Sequence, residues 1–94
     1  MWYVCILLCD QKIFYVGSTD NLERRFRQHV RKESFYTKKF SDIELVYRAS
    51  FLTRGEAMRR EEQIKKWSIA KKKALITGDI ELLRKLSKGR GRVE

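Results

Sequence analysis

Eight consecutive residues near the start of the chain, Trp2 to Cys9, are apolar at every position. A strand with one wet face alternates apolar and polar side chains. This one does not, so both faces are expected to be covered and the strand to be central in its sheet. The run is too short to cross a bilayer. No basic segment precedes it, so it does not read as a signal peptide, and a cytoplasmic location is expected.

The remaining organisation follows from local punctuation. Asp10-Gln11 reads as a weak hairpin tip, without the glycine that a tight turn prefers. Ile13 to Val16 form a returning strand that delivers Tyr15. Gly17 marks a turn or a close backbone approach. Asp20 is placed to cap a helix over about Asn21 to Arg31, with Glu23 as the capping-box acid and Leu22, Phe26 and Val30 as its core stripe. Ile43 to Phe51 is rich in β-branched and aromatic residues and reads as a third strand, with Ile43, Leu45 and Tyr47 on one face. Thr53 and Glu56 open a second helix, Ser68 caps a third, Gly78 ends it, and Asp79 caps a short last helix. The expected order is strand, strand, helix, strand, helix, helix, and a further short helix. This is an α+β domain over residues 1–87, a small three-stranded, antiparallel sheet flanked by helices, followed by a basic, disordered tail over 88–94.

Charge narrows the partner. The chain carries 22 Lys and Arg against 12 Asp and Glu, a net charge of +10. The cations cluster at Arg24, Arg25 and Arg27, at Lys38 and Lys39, and at Lys71 to Lys73. A clustered excess points to nucleic acid, and no helix is both strongly basic and cleanly amphipathic as a membrane-surface helix requires. Between residues 32 and 42, Tyr36 and other aromatics alternate with lysines, a mixture suited to phosphate attraction and base stacking, although such aromatics can equally cover a sheet edge. Cys5 and Cys9 share a strand face but lie too far apart to bond, and one histidine in the whole chain makes no zinc site with them. Buried free thiols are expected.

The chemistry concentrates between Tyr15 and His29. A tyrosine at a strand end is followed by a helix in which Arg25 and His29, four residues apart, share a face. A hydroxyl, a permanent cation and an imidazole at one edge suit a phosphodiester. A second candidate is Glu61, whose spacing from Ala57 and Ile64 sets it near the apolar face of its helix, unlike Glu62. Mg²⁺ is commonly held by only one or two carboxylates together with substrate phosphate and water, so one glutamate can suffice.

Tyr15-Val16-Gly17 with Leu22, Arg25 and His29 resembles the second half of the GIY-YIG nuclease signature, in its small branch of short, stand-alone bacterial proteins. The resemblance covers roughly residues 2 to 76 and includes Tyr36-Thr37-Lys38, similar to the Tyr-Thr-basic run of that branch. It implies a three-stranded sheet with flanking helices and metal-dependent cleavage of DNA. It implies catalytic roles for Tyr15, Arg25 and His29. In the run Ala57-Met58-Arg59-Arg60-Glu61 it places the metal-holding glutamate at Glu61. The family's first motif ends in a tyrosine where this chain has Cys5, and Tyr3 replaces its glycine. A thiol is a poor hydrogen-bond partner, so the departure implies weak activity.

The sequence is therefore read as a DNA endonuclease using Mg²⁺ or Mn²⁺, with Tyr15, Arg25, His29 and Glu61 converging on one concave surface. Tyr3, Arg24, Arg27, Tyr36, Lys38 and Lys39 are its expected substrate contacts. DNA is the expected partner, RNA the second choice, and a protein partner for targeting is compatible with so small a domain. The rival reading keeps the fold and the basic surface as a non-catalytic nucleic-acid-binding module. A weaker rival is a protein-interaction module.

Overall fold

The computed structural model describes residues 1–31 and 39–89, with side chains through Leu86. Three strands, β1 (Trp2–Cys9), β2 (Ile13–Thr19) and β3 (Ile43–Phe51), form one antiparallel sheet with β1 in the centre. Four helices follow the chain as α1 (Leu22–Val30), α2 (Arg54–Lys65), α3 (Ile69–Thr77) and α4 (Ile80–Gly89). Tyr36 and Lys38 lie outside the described residues, as do residues 90–94 of the expected tail.

The uninterrupted apolar run becomes the middle strand for the reason its sequence suggests. On one face Val4 and Ile6 meet Val16 of β2 and Ala57 and Ile64 of α2 in a fully buried cluster. Trp67, Leu75 and Ile76 extend that layer. Strand alternation sends Tyr3, Cys5, Leu7 and Cys9 to the other face, together with their partners Thr19, Gly17, Tyr15 and Ile13. There α1 provides the cover, with Leu22 and Phe26 near Tyr3 and Leu45 around a shallow hollow. Both cysteines are buried free thiols.

Several local expectations are corrected. The β1–β2 turn does form at Asp10-Gln11, with φ of 51° and 59°, a conformation glycine would adopt more cheaply. Asp10 is tied in place because its Oδ1 accepts from the backbone N–H groups of Ser41 and Asp42. β2 does not stop at Val16 but runs through Gly17 to Thr19. The N-cap of α1 is Asn21, whose side chain accepts from the Arg24 N–H at 3.0 Å, while Asp20 pairs with the Arg24 guanidinium instead. Val30 is 48% exposed, and His29 takes the buried position on α1. The packed face of α1 is therefore rotated toward Arg25 and His29. In β3, an irregularity opposite Ile6 and Leu7 pairs Leu7 with Leu45 but Ile6 with Tyr47. Leu45 and Tyr47 consequently face opposite sides of the sheet, and Val46 is the extra residue.

The helix starts downstream are those expected, while α4 runs through Gly89, so residues 88 and 89 of the expected tail are helical. Thr53 and Glu56 make a reciprocal capping box on α2. Ser68 caps α3, Gly78 ends it with φ of 76°, and Asp79 Oδ1 accepts from Leu82 N–H at the start of α4. α4 leans on α3 and leaves Ile80 and Leu82 exposed.

Candidate active site

Tyr15 sits on edge strand β2, two residues before Gly17. That glycine leaves room for the tyrosine ring, because a Cβ there would stand 3.2 Å from Tyr15 Cε2. The ring is thus laid along its own strand and meets α1. Arg25 Nη2 donates to the Tyr15 hydroxyl at 3.3 Å. The His29 ring packs edge-on against the Tyr15 ring with centroids 5.1 Å apart. Two helical residues one turn apart therefore grip one tyrosine at its hydroxyl and at its ring face.

His29 is 0% exposed. Burial, with the nearby Arg25 charge adding to it, lowers its pKa from 6.5 to about 4. The imidazole is neutral at pH 7. That rules out a standing positive charge and leaves a neutral ring that orients Tyr15.

Glu61 reaches the same strand from the other face of the sheet. Ser18 lies between Gly17 and Thr19, so its side chain points opposite to theirs and toward α2. Its hydroxyl donates to Glu61 Oε1 at 2.6 Å. The Lys65 ammonium, one turn along α2, pairs with Glu61 Oε2 at 2.7 Å. The two halves communicate around the β2 edge. The Lys65 pKa is raised first by its hydrogen bond to Glu61, with a smaller contribution from Tyr15. Cys5, opposite Gly17 on β1, feels both Arg25 and Glu61. Burial dominates at this thiol and pushes its pKa up, against the lowering by Arg25, so it stays protonated.

The structure thus joins Tyr15, Arg25 and His29 directly. It holds Glu61 to Ser18 of the same strand from the opposite face of the sheet, without a direct hydrogen bond to the other three, so the four side chains are not joined on one face as expected. Ser18 and Lys65 are additions that sequence reasoning missed. For Lys65 the signal was its i,i+4 spacing from Glu61. For Ser18 there was none, since its contact spans 43 residues. Arg24 and Arg27 are exposed on other faces of α1. Tyr3 lies away from the Arg25–Tyr15 pair, in the hollow shared with Arg48. Lys39 is exposed and lies over the Phe40 ring at 5.4 Å.

Residues 1–74 match the GIY-YIG catalytic domain. This chain belongs to the GIY-YIG family. It is similar to a UPF0213 protein of Natronomonas pharaonis, 38% identical over 78 residues, which is 82% of this chain and 92% of that protein. A UPF0213 protein of Staphylococcus haemolyticus is 40% identical over 75 residues, 79% of this chain and 92% of the other. Among solved structures, the solution NMR structure of a UPF0213 protein from Bacillus halodurans matches with a TM-score of 0.54 and 34% identity. That match covers 82% of this chain and 84% of the other. The chain is therefore a small GIY-YIG nuclease-family member whose sheet and helices follow that architecture. Among the described residues no helix is long and apolar enough to cross a membrane.

The donor set at Glu61 fits a hard divalent cation in one specific sense. It offers a single carboxylate, 17% exposed, with one oxygen steadied by Ser18. Among the described residues no group of three His, Cys, Asp or Glu could hold a metal ion. That excludes an all-protein cage there and suits Mg²⁺, which keeps water and takes substrate phosphate as further ligands.

Proposed function

We propose that this protein is a divalent-cation-dependent endonuclease that hydrolyses DNA phosphodiester bonds at the edge of β2. The observation that carries the reading is the Arg25–Tyr15 hydrogen bond, with a glutamate held at the same strand edge. The family match to a catalytic domain supports it.

Arg25 is the permanent cation of the site. Its planar fork suits two non-bridging phosphate oxygens and opposes the charge that grows on them during displacement. The Tyr15 hydroxyl accepts from Arg25, and a phenol is also the kind of group that donates to a phosphate oxygen. His29 acts as a neutral brace that fixes the tyrosine ring. Glu61, steadied by Ser18, is the residue that holds Mg²⁺ or Mn²⁺. When bound, such a cation polarises the phosphoryl group and acidifies water. Arg24, Arg27 and Lys39, with Tyr3, Tyr36 and Lys38, supply weaker contacts that draw and steady the strand. The site belongs to a cytoplasmic protein that a partner could direct to its target, and RNA is the second substrate choice.

One observation favours a second reading, a nucleic-acid-binding module without cleavage. Cys5, where the family has a tyrosine, is a buried and protonated thiol that cannot stand in as a base. Supercoiled plasmid incubated with and without Mg²⁺ or Mn²⁺ separates the two. Metal-dependent nicking supports the nuclease. Salt-sensitive binding with intact plasmid under every metal supports the binding module.

A further inference from the structure

Glu61 is gripped by two donors, and they differ in kind. Ser18 is neutral and occupies Oε1 at 2.6 Å. Lys65 is a cation and occupies Oε2 at 2.7 Å. The glutamate side chain is 17% exposed and the lysine side chain 49%, so the carboxylate is sunk and the ammonium caps it from the solvent side.

We propose that the Lys65 ammonium stands where a divalent cation approaches Glu61, and that it transfers to the incoming phosphodiester when substrate arrives. Cation loading is thereby coupled to nucleic-acid binding. The inference rests on the nuclease reading and assigns a positioning role to a residue that reading does not use.

Two cations beside one carboxylate oxygen repel each other. Ser18 takes one lone pair of Oε1 and Lys65 one of Oε2, so a metal ion meeting Glu61 either displaces the ammonium or sits within a few ångströms of it on the same carboxylate. Among the described residues no group of three His, Cys, Asp or Glu could hold the ion, so the protein supplies no cage of ligands to offset that repulsion. Substrate changes both terms. A phosphodiester brings further oxygen ligands for the cation, and it offers the ammonium a partner of the same charge as the one it leaves. A lysine suits this exchange because its charge is compact and sits on a flexible stem. Tyr15, which contacts Arg25 on the far side of the edge, already lies close enough to act on Lys65.

The test is Mn²⁺ binding, read from the electron paramagnetic resonance signal of unbound Mn²⁺, on the full chain without DNA. Lys65→Met is expected to bind Mn²⁺ roughly tenfold more tightly than the wild type, from the repulsion it removes. Glu61→Gln is expected to abolish binding in either background. A short phosphorothioate duplex should tighten Mn²⁺ binding by the wild type more than by Lys65→Met. Lys65→Gln serves as a second variant, with circular dichroism to confirm folding of each. If Lys65→Met and Lys65→Gln match the wild type while Glu61→Gln abolishes binding, the inference is overturned and the metal site stands. If the duplex tightens all backgrounds equally, the transfer to phosphate is overturned. If Glu61→Gln binds Mn²⁺ as the wild type does, with and without DNA, the assignment of the metal to Glu61 falls and the inference falls with it.

Discussion

The Ser18 hydroxyl donates to Glu61 Oε1 at 2.6 Å, tying the penultimate residue of β2 to the middle of α2. With the Lys65 ion pair on the other oxygen, this bond orients the Glu61 carboxylate. A hydrogen bond to a charged group contributes about 1.5–3 kcal/mol, and partial exposure places this one at the low end. Ser18→Ala is therefore expected to lower the unfolding free energy by roughly 1–2 kcal/mol. Urea unfolding followed by circular dichroism measures it. A change within error would mean that the Ser18 bond does not position Glu61.

His29 makes stability depend on pH. The folded imidazole resists protonation down to about 4, against 6.5 for the ordinary group. The unfolded chain therefore takes up the proton first as pH falls. The stability that His29 contributes is complete above 6.5 and is lost as pH falls from 6.5 toward 4. The limiting slope is about 1.4 kcal/mol per pH unit. His29→Gln is expected to flatten that slope between pH 6.5 and 4.5, in unfolding curves recorded at several pH values.

Gly17 is needed by its neighbour two residues back rather than by its own dihedral angles. With a Cβ at 3.2 Å from Tyr15 Cε2, Gly17→Ala pushes the ring by a few tenths of an ångström and disturbs the Arg25 hydrogen bond. The expected result is near-normal stability and DNA affinity with roughly tenfold slower cleavage, since small misplacements at a reacting centre are costly. Single-turnover cleavage at saturating DNA checks it.

Cys5 and Cys9 are expected to be inert. Both are buried, and burial pushes the Cys5 thiol pKa upward. A thiol-specific chromogenic reagent should modify neither in the native protein and both in urea. Rapid native labelling of Cys5 would show an open, ionised thiol and reopen a chemical role for it.

Much of this was legible in the sequence because it is local. The unbroken run Trp2 to Cys9 announced a central strand, and the Thr53–Glu56 capping box announced α2. Glu61 stood out from Glu62 by its spacing from Ala57 and Ile64, and it is the less exposed of the two. What was misread depends on competition between near-equivalent neighbours or on tertiary packing. Asp20 and Asn21 are both good caps, and a salt bridge to Arg24 draws Asp20 away. His29, not Val30, is buried because Tyr15 offers it a ring to pack against. The Val46 bulge answers to the register between β1 and β3, which no periodicity within β3 encodes. Ser18 gains its meaning only when α2 lies across β2.

The central claim is that Arg25, from one face of the sheet, and Glu61, from the other, act on one phosphodiester. Supercoiled plasmid nicking in Mn²⁺ by wild type, Arg25→Ala and Glu61→Gln tests it, with folding verified by circular dichroism. The account predicts nicking by the wild type alone, Arg25→Ala losing a contribution of about 3–4 kcal/mol to the barrier, a few hundredfold or more in rate. Wild-type rates in either folded variant would contradict it.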